Sequence, residues 1–420
     1  MDTQIFERYE SAVRSYCRSF PVVFSKAKGA KLITEEGKEY IDFFAGAGAL
    51  NYGHNNDKIK AALIDYIAGD NVSHALDMYT VAKREFIQAL QEKILQPRGL
   101  DYRLQFPAPT GTNAIEAALK LARKVKGRTG VFSFQGGFHG MTLGALAATG
   151  NKYNRGGAGQ ELGGVTFMPY PFGFMSTFDT IQYIETVLTD PNSGIGKPAA
   201  IVLETVQAEG GIVVAPVEWL QRLRKLCDDH DILMIVDDIQ VGCGRTGTFF
   251  SFERAGIVPD IVTLSKSISG YGIPLSVVLL KPELDKWGPG EHNGTFRGNQ
   301  MAFVGGKRAL EIWEEENVAG QVKAKAELIT DFLNQHIASL DTRIQLRGLG
   351  MIRGIDLSAL NHRELPNLIL ERCFQNGLII EDAGRFGQVI KMIPPLVIPE
   401  AELLQGLNIL KEAMEHYLKR

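Results

Sequence analysis

Two residues end apolar runs in a way that suits chemistry. The run Ile232-Leu233-Met234-Ile235-Val236 stops on Asp237, and the run Ile261-Val262-Thr263-Leu264 stops on Ser265-Lys266. Lys266 follows Asp237 by 29 positions. A lysine directly after a buried strand lies where desolvation lowers its pKa. A neutral amine there can form a Schiff base with an aldehyde. An aspartate at the end of a neighbouring strand can hold a pyridine nitrogen protonated, which makes such a ring an electron sink. A third group is Thr110-Gly111-Thr112-Asn113, ahead of a helical pattern in which Ile115, Ala118, Leu119, Ala122 and Val125 share one face and Gly127 is the stop. Backbone N–H groups and threonine hydroxyls at a helix start make an anion site. Each feature has a plainer reading on its own: a surface lysine in a turn, a capping aspartate, an ordinary helix cap.

Those residues need a framework to hold them. From about residue 61 to 305 apolar runs alternate with amphipathic helices. The strand candidates include GVFSF (130–134), AAIVLE (199–204), ILMIVD (232–237), IVTL (261–264) and LSVVLL (275–280). Continuous apolar runs suit a sheet buried on both faces. With helix candidates at 112–126 and 218–230, the pattern predicts an α/β domain with a mainly parallel sheet flanked by helices. Open sheets of this kind bind ligands at the carboxyl ends of their strands, where Asp237 and Lys266 fall. Residues 1–60 read as a Gly-punctuated arm, part of a smaller domain, with a hairpin around Gly37 in KLITEEGKEYIDF. The glycines of FFAGAGALNYGHNN mark a place where backbone approaches a ligand or another chain. Residues 306–420 read as a smaller α+β domain, with helices near 301–316 and 319–340 and a final helix in EAELLQGLNILKEAMEHYLKR.

Composition narrows the function class. The chain has 420 residues, 45% hydrophobic and 22% charged, with a formal net charge of -3. That balance predicts neither nucleic acid nor an anionic membrane as partner. The opening residues lack the apolar core of a signal peptide, and no apolar run reaches the ~20 residues of a membrane helix. The four cysteines are far apart, which reads as reduced thiols in a cytoplasm. The eight histidines lack metal spacing, so no metal is expected.

Six motifs occur in order: TGTNA, GGFHG, ETVQAEGG, DDIQVGCGRTG, SKS and GTFRGN. In order and approximate spacing the chain resembles, over essentially its whole length, the class III (ω-amino) aminotransferases, which are fold-type I pyridoxal-phosphate enzymes. The resemblance implies pyridoxal 5'-phosphate as cofactor, with Lys266 as the Schiff-base lysine and Asp237 as the partner of the ring nitrogen. Gln240 matches the residue that hydrogen-bonds the ring hydroxyl. Gly111 and Thr112 match phosphate donors, Phe138 the aromatic stacked on the ring, and His139 its neighbour. Thr295 matches a phosphate ligand from the other subunit, which implies a homodimer or higher homo-oligomer with shared active sites. Glu209 matches a gating glutamate, with Glu204 the second acid of that loop.

Three positions depart from the common pattern. Asp238 stands where glutamate is frequent, Cys243 where an aromatic is common, and Lys391 where many relatives carry an arginine that clamps a substrate carboxylate. A lysine offers one compact charge and no bidentate fork. The stretches FERYESAVRSYCRSFPVVFSKAKG and DFFAGAGALNYGHNN are similar to a branch of the family that uses glutamate as amino donor and aspartate 4-semialdehyde as acceptor. Ornithine, acetylornithine, 4-aminobutyrate and putrescine are the alternative substrates within the family, and an aminomutase on this fold is the alternative reaction. A nicotinamide dehydrogenase is disfavoured because no GxGxxG opens the first strand–helix turn. A non-catalytic protein on the same scaffold is disfavoured by the presence of Lys266.

Overall fold

The apolar runs form the centre of the molecule. In the computed structural model, which describes residues 3–419 apart from the side chains of residues 174 and 175, the strands Val131–Phe134, Ala200–Leu203, Leu233–Asp237, Ile261–Leu264 and Val277–Leu280 are buried at every position. With Arg103–Gln105 at one edge and Val165–Met168 at the other they make a seven-stranded sheet. Its order runs Arg103–Gln105, Val277–Leu280, Ile261–Leu264, Leu233–Asp237, Ala200–Leu203, Val131–Phe134, Val165–Met168. Val277–Leu280 is antiparallel to both neighbours, and the other pairings are parallel.

Alternate residues of these strands feed two separate cores, as the period of two requires. Ala200, Val202, Leu233, Ile235 and Ile261 pack under Ala114, Ile115, Ala118 and Leu121 of the helix Gly111–Lys126. Ile201, Leu203, Met234, Val236 and Val262 face the opposite layer with Trp219, Leu220 and Leu223 of the helix Val217–Asp229. Each large apolar side chain so buried contributes roughly 1.5–3 kcal/mol. Both faces are therefore closed, and the strand ends are left for chemistry.

The smaller region joins the two ends of the chain. The hairpin around Gly37 forms from Lys31–Thr34 and Glu39–Asp42. Phe24–Lys28 pairs on one side of it and Leu378–Ile379 on the other. A second sheet takes the order Gln345–Leu349, Ile352–Asp356, Val389–Met392, Glu381–Ala383, antiparallel throughout. The helices Gln300–Glu315, Val318–His336, Leu365–Gln375 and Glu400–Leu418 complete the C-terminal part. Among the described residues no helix is long and apolar enough to cross a membrane. All four cysteines are free, with Cys17 exposed and the other three buried.

Candidate active site

Strand pairing brings the first two candidate residues together. Asp237 pairs with Thr263 in the parallel ladder, so Lys266 lies three residues further along, beyond the same edge of the sheet. The chain turns sharply there: Lys266 has φ +53°, a left-handed conformation that costs a lysine of order 1 kcal/mol or more. Neighbouring bonds hold it. The Ser265 hydroxyl donates to Leu275 O at 2.7 Å, the Ser267 hydroxyl donates to Gly48 O at 2.7 Å, and Asn51 N–H donates to Ser267 Oγ at 3.1 Å. Behind the turn, the helix Gln300–Glu315 presents Gly305 and Gly306. A Cβ on either would lie 2.6 Å from a carbonyl of the turn, so only glycine admits this approach.

The Lys266 amine donates to Ala47 O at 2.8 Å. Ala47 belongs to the Gly-rich segment, where Ala45, Gly46, Ala47 and Gly48 all have positive φ. That segment thus comes against the catalytic candidate. Burial pushes the Lys266 amine below its ordinary value; Glu209 opposes the shift and Lys391 reinforces it.

Asp237 is buried and accepts from two sides. His139 Nδ1 lies 2.8 Å from its Oδ2, and Ile239 N–H donates to Oδ1 at 3.2 Å. Burial alone would lower the His139 imidazole, but the hydrogen bond and charge of Asp237 prevail, and its pKa lies above the ordinary value. Phe138 precedes it, half-buried, its backbone N–H bound by Glu204 Oε1 at 2.9 Å. The other Glu204 oxygen accepts from Ala208 N–H at 3.2 Å. Glu204 is therefore a clamp between two loops, and burial pushes its carboxyl up to about 7. His54 is likewise committed to structure, 2.8 Å from the buried Asp42 carboxylate.

The helix Gly111–Lys126 points its start toward the same edge. Thr110 N–H and its hydroxyl both reach Asn113 Oδ1, at 3.1 and 2.7 Å. Thr112 Oγ1 lies 2.7 Å from Thr142 Oγ1, whose hydroxyl also donates to Glu116 at 2.6 Å. Gly111 lies against Ile239, with a virtual Cβ only 2.9 Å from Ile239 Cδ1. The helix start and the Asp237 strand end are therefore neighbours, with Ile239 between them.

Glu209, Gln240 and Lys391 form a second cluster. Lys391 is fully buried, with Nζ 2.6 Å from Glu209 Oε1 and 2.8 Å from Glu381 Oε1. Gln240 Nε2 also donates to Glu209 Oε1, at 3.1 Å. Burial would lower the Lys391 ammonium, but the two carboxylates overcome it and hold it above its ordinary value. Burial would raise the Glu209 carboxyl, but Lys391 prevails and holds it below its ordinary value. Glu381 was not singled out in the sequence. Its signal lay in the hairpin LIIEDAGRFGQVIKMI, which sets Glu381 opposite Lys391. Thr295 is not part of either cluster's bonding; it is exposed, beside Phe296, which is 66% exposed.

The fold, the lysine and acid at adjacent strand ends, and the helix start beside them define the class of protein. A family model described as "Aminotransferase class-III" matches residues 13–414, and the chain belongs to that family. It is 53% identical over 416 residues to "Diaminobutyrate--2-oxoglutarate transaminase" of Bordetella parapertussis, covering 99% of this chain and 95% of that one. The protein of the same name from Vibrio parahaemolyticus is 54% identical over 413 residues, covering 98% and 97%; that from Halomonas elongata is 52% identical over 416 residues, covering 98% of each. Among solved structures, the ornithine aminotransferase from Toxoplasma gondii superposes with a TM-score of 0.86 at 27% identity, covering 99% of this chain and 95% of that one. An S-selective transaminase from Arthrobacter sp. shares the fold, with a TM-score of 0.88 at 22% identity, covering 99% and 97%.

The family implies pyridoxal phosphate, and the residues present fit it. Gln240 Oε1 is buried with no partner among the described residues, an acceptor waiting for a hydroxyl donor. Asp237 is a buried carboxylate, and the helix start has the donor set an anion needs.

Proposed function

We propose that the chain transfers an amino group from L-glutamate to L-aspartate 4-semialdehyde, giving L-2,4-diaminobutyrate and 2-oxoglutarate, the first step of ectoine synthesis. Identity above half to transaminases of that name, over nearly the whole of both chains, carries the substrate assignment. The neighbouring strand ends of Asp237 and Lys266 support the reaction type.

Pyridoxal phosphate, when bound, supplies the electron sink. In this reading Lys266 Nζ would hold it covalently until the substrate amine displaces it, and the freed amine would then take the proton from the reacting carbon and deliver it to the cofactor side, as general base and then general acid. The lowered basicity of Lys266 suits that task. Asp237, held in place by His139 at 2.8 Å, would pair with the ring nitrogen. Gln240 would accept from its hydroxyl, Gly111 and Thr112 would bind its phosphate, and Phe138, with Ile239 or Val206, would pack against its ring.

Two different amino donors use one site. Glutamate reacts beside a carboxylate, whereas diaminobutyrate reacts at its terminal amine with none adjacent. A cation serving the first is an unpaired buried charge with the second. The Glu209–Lys391 pair answers this: Glu209 gives way to the glutamate carboxylate and returns for diaminobutyrate.

Thr295 serves the phosphate of a second subunit in this reading. Its segment touches another: Phe296 meets His74 edge to face at 5.4 Å. Leu76, Met78, Tyr79 and Phe296 are each exposed, which suits a homodimer interface on this part of the surface. The chain works in the cytoplasm. A panel of amino donors and acceptors tests the assignment. Turnover of glutamate with aspartate 4-semialdehyde is expected to exceed that with glutamate 5-semialdehyde, the acceptor yielding ornithine, or with succinate semialdehyde, the acceptor yielding 4-aminobutyrate. Preference for either of the latter refutes it.

A further inference from the structure

Lys391 carries two carboxylates on its ammonium, and they are held in different ways. Glu381 stands directly opposite it in the antiparallel pair of Glu381–Ala383 with Val389–Met392. Its oxygen is 2.8 Å from Nζ, and its side chain is 12% exposed. The main-chain ladder sets that register. Glu209 lies on the turn between Val206–Gln207 and Val213–Val214, and its side chain is 36% exposed. One carboxylate belongs to a sheet and the other to a turn.

The difference matters because the cation is a lysine. A buried ammonium stripped of its counter-charge is strongly destabilised. Arginine keeps its charge under that stress, whereas lysine sheds a proton readily. A lysine paired with Glu209 alone would resist the departure of Glu209.

We propose that Glu381 is the positioning residue that lets Lys391 exchange Glu209 for a substrate carboxylate, by holding the ammonium charged and in place while Glu209 is away. The proposal deepens the two-donor reaction above and rests on it. Glu381 touches no substrate in this role and acts through Lys391. The titratable groups that face it are Lys391, Glu209, Lys266 and the Tyr16 phenol of the N-terminal segment. Its neighbour Asp382 feels the same Lys391 and Glu209 charges. Burial, opposed by Lys391 and reinforced by Glu209, raises the Glu381 carboxyl to about 7. The anchor is therefore fully charged only above neutral pH.

Glu381→Gln keeps the shape and removes the charge. Cofactor-loaded enzyme is mixed in single turnovers with glutamate and, separately, with L-2,4-diaminobutyrate. Binding of glutarate, an unreactive dicarboxylate, is followed by titration calorimetry. The variant is expected to lose roughly tenfold or more in glutamate efficiency and in glutarate affinity, while diaminobutyrate efficiency changes less than about twofold. The ratio of wild type to variant with glutamate rises between about pH 6 and pH 8, as Glu381 ionises, and Glu381→Asp recovers part of the loss. Equal losses in both half-reactions, unchanged glutamate and glutarate, or a ratio independent of pH would each overturn the proposal. The diaminobutyrate half-reaction reports whether the variant is folded. If the wild type itself ignores diaminobutyrate, the substrate assignment fails, and the glutamate and glutarate comparisons still decide the role of Glu381.

Discussion

Replacing Lys391 by methionine removes a fully buried ammonium and nearly preserves side-chain length, so little cavity is left. Glu209 and Glu381 then share a site with no cation between them. Breaking a buried pair costs about 3–5 kcal/mol when the surviving partner stays charged. Two features reduce that here. The Glu381 carboxyl already stands at about 7 with Lys391 beside it, so it takes up a proton once the lysine is gone. Glu209 is 36% exposed and can turn toward water. We expect a loss of about 2–3 kcal/mol at pH 7, below the full penalty of an unpaired buried charge. Urea denaturation measures it, as a lower midpoint at unchanged slope. The loss shrinks at lower pH, where both carboxylates are neutralised. In the chemistry, the glutamate carboxylate loses a charge-assisted hydrogen bond of about 1.5–3 kcal/mol, roughly 10- to 100-fold in efficiency. Diaminobutyrate presents no carboxylate there, and its half-reaction is expected to change by less than about threefold. Equal loss with both donors refutes the reasoning, as does a stability loss that does not vary with pH.

Asp237→Asn keeps the hydrogen bonding near His139 but removes the charge, and a fall in turnover of more than about 100-fold is expected. The same variant lowers the His139 pKa, read from its imidazole NMR shifts; an unchanged titration contradicts the pairing. Stability of the cofactor-free protein carries a further signature. Burial raises the Glu204 and Asp238 carboxyls to about 7 each, and Glu381 likewise. These acids hold protons in the folded chain that the unfolded chain has released above about pH 4.5. Stability therefore falls as pH rises toward 7, by up to about 1.4 kcal/mol per pH unit for each group, and levels off above. Melting temperatures from pH 5 to 8 check this; a rise across that range contradicts it.

Much of this was legible in the residues because local pattern and tertiary role agree. The continuous apolar runs at 232–237 and 261–264 are strands since both faces of the sheet are covered, and their ends put Asp237 and Lys266 on one edge. Gly37 and Gly127 mark a turn and a helix stop, at φ +85° and +59°. The long helices near 301 and 319 begin one residue earlier, at Gln300 and Val318. What could not be read depends on strand register and on tertiary placement. The register that sets Glu381 against Lys391 follows from a short hairpin whose strands, Glu381–Ala383 and Val389–Met392, are too brief to carry a clear period. The Ala47 carbonyl reaches Lys266 across 219 positions of chain, and no side-chain pattern announces a backbone acceptor. Glu204, the second acid of the Glu209 loop, has both oxygens on backbone N–H groups, a local use that its position in the sequence does not reveal.

In the proposed function Lys266 carries pyridoxal phosphate in a site that accepts both glutamate and diaminobutyrate. The absorption spectrum of the purified protein tests it most directly. A long-wavelength band from cofactor held on the Lys266 amine is expected, absent in Lys266→Ala, and bleached by glutamate and by L-2,4-diaminobutyrate in separate additions. A band that persists with diaminobutyrate contradicts the substrate assignment, and no band in cofactor-reconstituted protein contradicts the site itself.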